Sequence, residues 1–272
     1  MEGLLEDIST GDTGMKGVVL AGGLGTRLLP MTRVTNKHLL PVYDRPMIYY
    51  PIQQLVLSGI EDILVVTGGN SAGDFLKILG DGQEFGLKHL KYAYQDGEGG
   101  IAQALGLARD FSAGEPIVVL LGDNIFQDSI TEAIELYSHL GGAMILLKEV
   151  EDPERFGVAL LEDGGVVEIV EKPENPSSNL AVTGCYFFDY RVFEIIDGLE
   201  PSARGELEIT DVNNRYIEWG DMQHHILSGW WADAGTVPSL SRASGLVRED
   251  RDNPVLNGLG IRSEGLSGHT WE

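Results

Sequence analysis

A run of small residues near the start of the chain ends in an arginine and a leucine, at residues 20–28 (LAGGLGTRL). Its three glycines carry no side chains, so their backbone N–H groups can approach an anion closely, as in phosphate-binding loops. The Arg27 guanidinium could hold phosphate oxygens through two parallel hydrogen bonds. Lys37 adds a compact positive charge ten residues later. The combination predicts a phosphate site, whereas a glycine-rich loop alone is more often a structural turn.

Neither of the two best-known phosphate loops matches this run. The P-loop requires Lys-Ser or Lys-Thr after its last glycine, and the run contains neither. The dinucleotide fingerprint G-x-G-x-x-G requires a third glycine where Leu28 stands. A P-loop kinase and a nicotinamide-dependent dehydrogenase are therefore not favoured.

The distribution of charge also singles out this part of the chain. Lysine and arginine number 19 and aspartate and glutamate 42 in 272 residues, so the formal net charge is −23. A field this acidic argues against a nucleic acid or an anionic membrane as the partner. Residues 15–60 are the exception, with five basic residues and one acidic residue. This local excess of positive charge predicts an anion site, unless the bases cluster by chance.

The elements that must position these residues alternate between strand and helix in the first 150 residues. The predicted strands are 16–21, 62–67, 116–121, 143–150, 157–161, 166–171, 181–188, 224–227 and 230–232. The predicted helices are 46–57, 101–111, 129–140 (opening on a capping box at Ser129), 191–196, 206–219 and 238–246. We therefore predict an α/β fold. It has a Rossmann-like, mostly parallel sheet with helices on both faces and a smaller antiparallel subregion.

One domain is predicted, over residues 15–244, with a first part at 15–150 and a second at 151–244. Residues 1–14 carry four acids and no base, which predicts a flexible acidic extension rather than a signal or transit peptide. Residues 245–272 are rich in Gly, Ser and Asp, and we predict a C-terminal tail with few residues to pack as helices.

Other residue types exclude several further classes of site. No apolar run approaches the roughly 18 to 20 residues that span a bilayer. Cys185 is the one cysteine, so an intrachain disulfide is excluded, a buried position is predicted, and a reducing cytoplasm is expected. The six histidines have no metal-ligand spacing, so neither a zinc site nor a Ser-His-Asp set is predicted.

Ten short motifs occur in order along the chain, and the first of them contains most of the glycine-rich run. They are 21–30 (AGGLGTRLLP), 36–41 (NKHLLP), 45–51 (RPMIYYP), 99–104 (GGIAQA), 121–126 (LGDNIF), 152–157 (DPERFG), 171–173 (EKP), 181–184 (AVTG), 201–211 (PSARGELEITD) and 231–236 (WADAGT). With these motifs the chain resembles the sugar-phosphate nucleotidyltransferases from Met15 to about Ser244. So many ordered matches make a chance resemblance very improbable.

The resemblance implies a reaction and roles for charged residues. A sugar 1-phosphate oxygen attacks the α-phosphorus of a nucleoside triphosphate, and pyrophosphate leaves. Arg27 would hold the triphosphate, Lys37 would lie by the α-phosphate, and Lys172 would hold the sugar phosphate. Asp123 and Asp233 would bind Mg²⁺, which prefers one or two carboxylates together with phosphate oxygens. Asp123 also follows a predicted strand at its carboxyl end, where α/β sheets bind ligands, whereas Asp233 from its pattern alone would be a turn residue.

The resemblance also implies the residues that contact each substrate, the nucleotide in the first part of the domain and the sugar phosphate in the second. Those implied for the nucleotide are Leu20, Ala21, Gly22, Gly23, Gly25, Thr26, Arg27, Gln95, Gly100 and Asp123. Those implied for the sugar phosphate are Asn124, Gly157, Glu171, Lys172 and Val182. Two departures from the family pattern, the loop 96–99 (DGEG) and His38 in place of the usual Gln, leave the contacts there unassigned.

The implied reactants are dTTP and glucose 1-phosphate, in the first step of a dTDP-deoxysugar route such as that to dTDP-rhamnose. The same reaction with UTP or another hexose 1-phosphate is the alternative, and an inactive nucleotide-sugar sensor is a remote one. The resemblance implies a homo-oligomer, a dimer or a tetramer. Longer members have a second, regulatory nucleotide site near the C-terminus, and we expect the tail here to be too short to complete one.

Overall fold

The computed structural model describes residues 14–257. The rest of the predicted acidic extension, at 1–13, and the end of the predicted tail, at 258–272, lie outside the described residues. The strands are β1 (Lys16–Ala21), β2 (Pro41–Val42), β3 (Arg45–Pro46), β4 (Asp62–Gly68), β5 (His89–Gln95), β6 (Ile117–Leu121), β7 (Asn124–Phe126), β8 (Ala143–Glu149), β9 (Gly157–Glu162), β10 (Gly165–Glu171), β11 (Leu180–Phe188), β12 (Met222–Ile226) and β13 (Trp231–Asp233). The α-helices are α1 (Tyr49–Leu57), α2 (Ala72–Leu79), α3 (Ile101–Gly106), α4 (Arg109–Ser112), α5 (Thr131–Leu140), α6 (Val192–Asp197), α7 (Ile209–Trp219), α8 (Val237–Glu249) and α9 (Pro254–Asn257). Short 3₁₀ helices lie at Thr26–Leu28, Met31–Arg33, Lys37–Leu39, Gly69–Ser71, Gln83–Phe85 and Pro153–Arg155.

A mixed sheet forms the centre of the described residues, with strands in the order β10-β9-β11-β6-β1-β4-β5. Strand β8 also pairs with β11, and β12 pairs with β8. Strands β6, β1, β4 and β5 run parallel. Strand β11 runs antiparallel to β6, β8 and β9, and β9 to β10. The predicted α/β fold is confirmed, and its antiparallel subregion is a continuation of the same sheet.

The core lies on both faces of this sheet because neighbouring residues of a strand point to opposite sides. Val19 and Val65 belong to one apolar cluster, and Val18 and Val66 to the other. The parallel strands are therefore almost wholly apolar, as the sequence predicted. A third cluster packs α8 and the segment after β1 against β7 and β13. Of the two predicted acidic ligands, Asp233 ends β13 and Asp123 directly precedes β7.

Four predicted helices differ from the structure. The helix predicted over 206–219 begins at Ile209, as α7. The helix predicted from Pro46 begins at Tyr49, because Arg45–Pro46 pairs with Pro41–Val42 as a strand. The capping box predicted at Ser129 is wrong: Ser129 Oγ accepts a hydrogen bond from Thr131 N–H, and Ile130 is the N-cap. The helix predicted over 101–111 divides into α3 and α4. Strand β5 and helix α2 were not predicted.

The tail predicted from residue 245 is wrong in its first half. The proposed boundary falls inside α8, whose Val247 is buried, and Leu256 of α9 is also buried in the third cluster. Helix α8 is held at its start by a capping box, in which Thr236 and Ser239 exchange hydrogen bonds. Residues 245–249 and 254–257 are thus packed helix rather than loose tail. The expectation of no regulatory site also rests on the length of the tail, and it stays a prediction.

Two further predictions concern single features of the fold. Cys185 is fully buried in β11, as predicted, and burial raises the pKa of its thiol. Over residues 14–257, none of the helices is long and apolar enough to cross a membrane.

Candidate active site

One large cavity, of about 550 Å³, opens at the carboxyl ends of the parallel strands. It is lined by both parts of the domain. The predicted residues that line it are Leu20, Gly22, Gly23, Arg27, Lys37, Gln95, Gly100, Asp123, Asn124, Gly157, Glu171, Lys172, Val182 and Asp233. Three predicted residues do not: Ala21 is buried in the core, and Gly25 and Thr26 form the turn that leads to Arg27.

The conformation of the glycine-rich loop depends on its own backbone and on Gln95 at the end of β5. Gly23 has a φ of 87°, which favours glycine. At Gly22 a Cβ atom would lie 2.6 Å from Gln95 Oε1, so any side chain there would displace that amide. The Gln95 amide nitrogen donates to Gly100 O at 3.1 Å and to Gln103 Oε1 at 2.9 Å, which fixes its orientation. Gln95 therefore reaches this loop with a constrained side chain.

Asp123 and Lys37 form the most buried ion pair of the cavity. Lys37 Nζ lies 2.5 Å from Asp123 Oδ2, and the two side chains are 16% and 8% exposed. The other carboxylate oxygen, Oδ1, accepts a hydrogen bond from Asn124 Nδ2 at 3.0 Å. Asn124 is fixed in turn, since its Oδ1 accepts from Trp231 Nε1 and from Gly184 N–H. The orientation of the Asp123 carboxylate is thus determined from both sides.

Asp233 is brought beside Asp123 by the pairing of β7 with β13. Asn124 is the register partner of Asp233, and Ala234 N–H donates to Asp123 O at 2.8 Å. A Cβ atom at Gly235 would lie 2.9 Å from Asp233 Oδ1, 3.2 Å from Arg27 Nη2 and 3.4 Å from Asp123 Oδ2. Two carboxylates and a guanidinium therefore converge on one point, although they come from three distant segments.

The charges at this point have opposite effects on the two carboxyl groups. Burial disfavours ionisation of Asp123, but the Lys37 ammonium acts together with the other neighbours, including hydrogen bonds from Lys37 and Asn124. Their combined effect holds the pKa of Asp123 below its ordinary value. Burial and the nearby Asp123 charge raise the pKa of Asp233. Two adjacent carboxylates fit a divalent cation that completes its coordination with phosphate oxygens and water. Within residues 14–257 no group of three or more Asp, Glu, His or Cys gathers around one point, so any cation would need such further ligands.

The other end of the cavity carries the residues predicted to hold the sugar phosphate. Lys172 has a φ of 44°, unusual for a residue other than glycine, and its N–H donates to Phe156 O at 2.9 Å. Its ammonium lies 3.0 Å from Glu171 Oε1. The second oxygen, Glu171 Oε2, accepts from Thr210 Oγ1 at 2.9 Å and lies 3.4 Å from where a Gly157 Cβ would be. Glu171 is thus held by α7 and faces the gap left by Gly157.

Several residues that line the cavity were missed by the sequence analysis. They are His38, Glu98, Ile101, Ala104, Leu121, Arg155, Phe156, Gly184, Tyr186, Arg204, Glu206, Glu208, Ile209, Thr210, Asn213 and Trp231. Arg204 is the most informative of them, because it adds a second cation 3.6 Å from Glu171 and is oriented by Glu208 at 2.7 Å. Its place inside the motif at 201–211 was the available signal. Glu98 accepts a hydrogen bond from Leu24 N–H of the glycine-rich loop, a contact that the unassigned loop 96–99 did not predict.

His38 lines the cavity beside Lys37 and is 1% exposed. Its Nδ1 lies 2.7 Å from Asn36 Oδ1, which also accepts the backbone N–H of His38. Burial, together with the Lys37 charge, lowers the pKa of His38 to about 3. The imidazole is therefore neutral at physiological pH and contributes no positive charge to the anion site.

This burial predicts a pH dependence of stability. The unfolded chain takes up a proton at His38 below an ordinary pKa of 6.5, whereas the folded chain does not until pH is near 3, so acid favours unfolding. We expect the free energy of unfolding to fall by about 2 kcal/mol more between pH 7 and pH 5 in the parent than in His38→Gln. Urea denaturation at both pH values measures it. The exposed His139→Gln variant is the control and should behave as the parent; an equal loss in His38→Gln would contradict the prediction.

Comparison with known proteins agrees with this arrangement. Residues 16–250 match the family described as Nucleotidyl transferase. The glucose-1-phosphate thymidylyltransferase of Neisseria meningitidis is 46% identical over 239 residues, covering 86% of this chain and 83% of that protein. A crystal structure from Bacillus anthracis, assigned as a glucose-1-phosphate thymidylyltransferase and containing sucrose, superimposes with a TM-score of 0.84 at 51% identity. That match covers 90% of this chain and 99% of that chain.

A more distant structure shares the fold. A UDP-glucose pyrophosphorylase complexed with UDP-glucose superimposes with a TM-score of 0.76 at 26% identity, covering 87% of this chain and 99% of that chain. The chain therefore belongs to the nucleotidyl transferase family and is a nucleotidyltransferase. Within that family it is similar to the glucose-1-phosphate thymidylyltransferases, which confirms the resemblance drawn from its motifs.

Proposed function

We propose that this chain transfers the thymidylyl group of dTTP to glucose 1-phosphate, giving dTDP-glucose and pyrophosphate. The observation that carries the proposal is a single cavity with Arg27, Lys37, Asp123 and Asp233 at one end and Glu171 and Lys172 at the other. The relatives that are 46% identical over most of the chain are named for this reaction.

The chemistry needs charge compensation rather than a general base. The phosphate oxygen of glucose 1-phosphate is already an anion when it attacks the α-phosphorus of dTTP, and the bond to the bridging oxygen of pyrophosphate breaks. Bringing two polyanions together is the main obstacle, and preorganised positive charge lowers it. Arg27 would hold the triphosphate and the departing pyrophosphate, Lys37 would lie by the α-phosphate, and Lys172 would hold the sugar phosphate.

Mg²⁺ is the cofactor that we propose, with Asp123 and Asp233 as its protein ligands. Their carboxylates approach a common point beside Gly235, and the donor set of two carboxylates suits a hard cation that shares phosphate oxygens. When bound, the ion would neutralise phosphate charge. The two carboxylates would position it, and Lys37 keeps Asp123 ionised for that purpose.

UTP in place of dTTP is the second candidate, favoured by the shared fold of the UDP-glucose pyrophosphorylase. The 26% identity of that protein, against 46% and 51% for proteins named as thymidylyltransferases, supports dTTP as the first choice. Another hexose 1-phosphate remains an alternative for the second substrate. An inactive sensor is the least supported reading, since the cavity carries Arg27, Lys37 and Lys172 together.

Pyrophosphate release over a panel of substrates tests the proposal. The panel combines dTTP, UTP, ATP and GTP with the 1-phosphates of glucose, galactose, mannose and N-acetylglucosamine, each with Mg²⁺ and with EDTA. We expect the highest kcat/KM for dTTP with glucose 1-phosphate, and release only with Mg²⁺. A preference for UTP would favour the second candidate, and no turnover with any pair would favour the sensor.

Three further statements stay predictions. The homo-oligomeric state, a dimer or tetramer, would be checked by light scattering. A cytoplasmic location is supported by the single buried thiol of Cys185, which suits a reducing compartment. We expect the product, dTDP-glucose, to enter a dTDP-deoxysugar route.

A further inference from the structure

A buried acceptor without a donor lies in the wall of the cavity. Asn213 is 1% exposed and lines the cavity from α7. Among the described residues, its side-chain oxygen Oδ1 accepts no hydrogen bond. Buried polar atoms are nearly always paired, because an unpaired one has lost its hydrogen bonds to water. The orphaned oxygen therefore calls for a partner that the chain itself does not supply.

The position of Asn213 on its helix points to the sugar end of the cavity. Asn213 lies three residues after Thr210, on the buried face that the two share. Thr210 donates its hydroxyl to Glu171 at 2.9 Å, and Glu171 is the partner of Lys172. The polar groups of α7 thus continue from the residues assigned to the sugar phosphate toward Asn213.

The chemistry of the oxygen further limits the groups that can be its hydrogen-bond partner. An amide oxygen only accepts hydrogen bonds, so its partner must carry a donor proton. Ionised phosphate oxygens are themselves acceptors and cannot serve. The donors that the proposed reactants carry are the hydroxyls of the hexose, the 3′-hydroxyl of the deoxyribose and the N–H of the thymine ring. The family resemblance places the whole nucleotide, base and deoxyribose, in the first part of the domain with Gln95. Helix α7 belongs to the second part, which leaves the hexose.

We propose that Asn213 Oδ1 accepts a hydrogen bond from a hydroxyl of the hexose and so helps to select the sugar. This inference rests on the proposed function, because it takes a hexose 1-phosphate as the substrate. A site built to pair with a hydroxyl rejects a sugar that lacks it, since the oxygen is then left buried and unpaired. Asn213 is thereby a specificity-determining residue that the sequence motifs did not assign.

Replacing Asn213 by leucine, which has a similar volume, tests this assignment. We expect kcat/KM for glucose 1-phosphate to fall by roughly tenfold or more, with KM for dTTP unchanged. We expect Tm to equal or exceed that of the parent, because the variant removes a buried unpaired oxygen. A purely structural asparagine would give the opposite result, a lower Tm with unchanged sugar kinetics. The control is Arg215→Ala on the same helix, whose side chain is 54% exposed and pairs with Glu218.

The hydroxyl is identified with 2-deoxy-, 3-deoxy-, 4-deoxy- and 6-deoxyglucose 1-phosphate. In the parent, one of these should lose roughly tenfold or more in kcat/KM, and in Asn213→Leu that same sugar should lose little further, because the pair is already broken. Asn213→Ser, which keeps a shorter polar group, is the second variant and should show the same pattern more weakly.

Several outcomes would overturn the inference. They are equal further losses for all four deoxy sugars in the variants, a changed KM for dTTP with sugar kinetics intact, or a lower Tm as the sole effect. If neither variant folds, the parent decides, and use of every deoxy sugar within about twofold of glucose 1-phosphate would overturn it. The proposed function is judged separately, by whether the parent makes dTDP-glucose from dTTP and glucose 1-phosphate.

Discussion

Replacing Asp123 by asparagine is expected to lower kcat by at least ~10², about 3 kcal/mol of transition-state stabilisation, while the fold persists. Asparagine has the same shape but no charge, so Lys37 would lose its ionised partner at 2.5 Å and any Mg²⁺ would lose one of two carboxylates. Pyrophosphate release at saturating dTTP and glucose 1-phosphate measures kcat. Titration with Mg²⁺ should show a higher requirement in the variant.

The matched control is Asp163→Asn, in the turn between β9 and β10, where the carboxylate is exposed and outside the cavity. It should keep the kcat of the parent, and circular dichroism should show both variants folded. Near-normal turnover of Asp123→Asn with Mg²⁺ present would remove Asp123 from the catalytic site. It would also leave Asp233 without a partner for the cation.

Substitution of the two cavity lysines by alanine is expected to separate binding from chemistry. Lys37→Ala should lower kcat by roughly 10² or more with modest changes in KM, because its ammonium lies against Asp123 where charge moves in the reaction. Lys172→Ala should instead raise KM for glucose 1-phosphate by roughly tenfold, because its ammonium lies with Glu171 at the sugar end. Initial rates over a grid of both substrate concentrations measure the two constants.

Lys77→Ala is the control for this pair, since Lys77 lies on the surface of α2 with a side chain that is 77% exposed. Its kinetics should match those of the parent. An identical KM pattern for both substrates in the Lys37 and Lys172 variants would show that the two roles have been assigned wrongly. An increase in KM for dTTP alone in Lys172→Ala would show that Lys172, rather than Lys37, contacts the nucleotide.

The strands of the sheet could be predicted from sequence because each depends on a local pattern. The continuous apolar runs of β1, β4 and β6 are typical of strands buried on both faces. The glycines of the glycine-rich run follow β1, and Asp123 follows β6. Strand β5 was missed because its burial alternates imperfectly, and α2 because it has a glycine, Gly73, in its first turn and no side-chain cap. Elements without a strong local pattern are decided by the surfaces on which they pack.

The site was predictable where its residues belong to contiguous motifs. Gly22, Gly23, Arg27, Lys37 and Asp123 stand in such motifs. The anion chemistry of the glycines and the two basic residues follows from residue type and spacing, whereas the role of Asp123 as a metal ligand follows from the family resemblance. Arg204, Thr210 and Asn213 lie inside or just beyond a quoted motif, but nothing in a linear pattern tells which of its side chains faces a cavity. The direction of each side chain of α7 depends on which face of the helix packs against β10 and α3.

By itself, then, the sequence determined the family, the α/β class and the anion chemistry, because glycines, basic residues and strand-end carboxylates act through local geometry. Tertiary structure alone decided that Asp233, a turn residue from its pattern, lies beside Asp123, and that His38 is neutral with a pKa of about 3. It also decided that residues 245–249 and 254–257 pack as helix, and that Asn213 Oδ1 has no hydrogen-bond partner among residues 14–257. Each of these depends on burial and on neighbours far away in sequence, and no run of adjacent residues records which distant groups surround it.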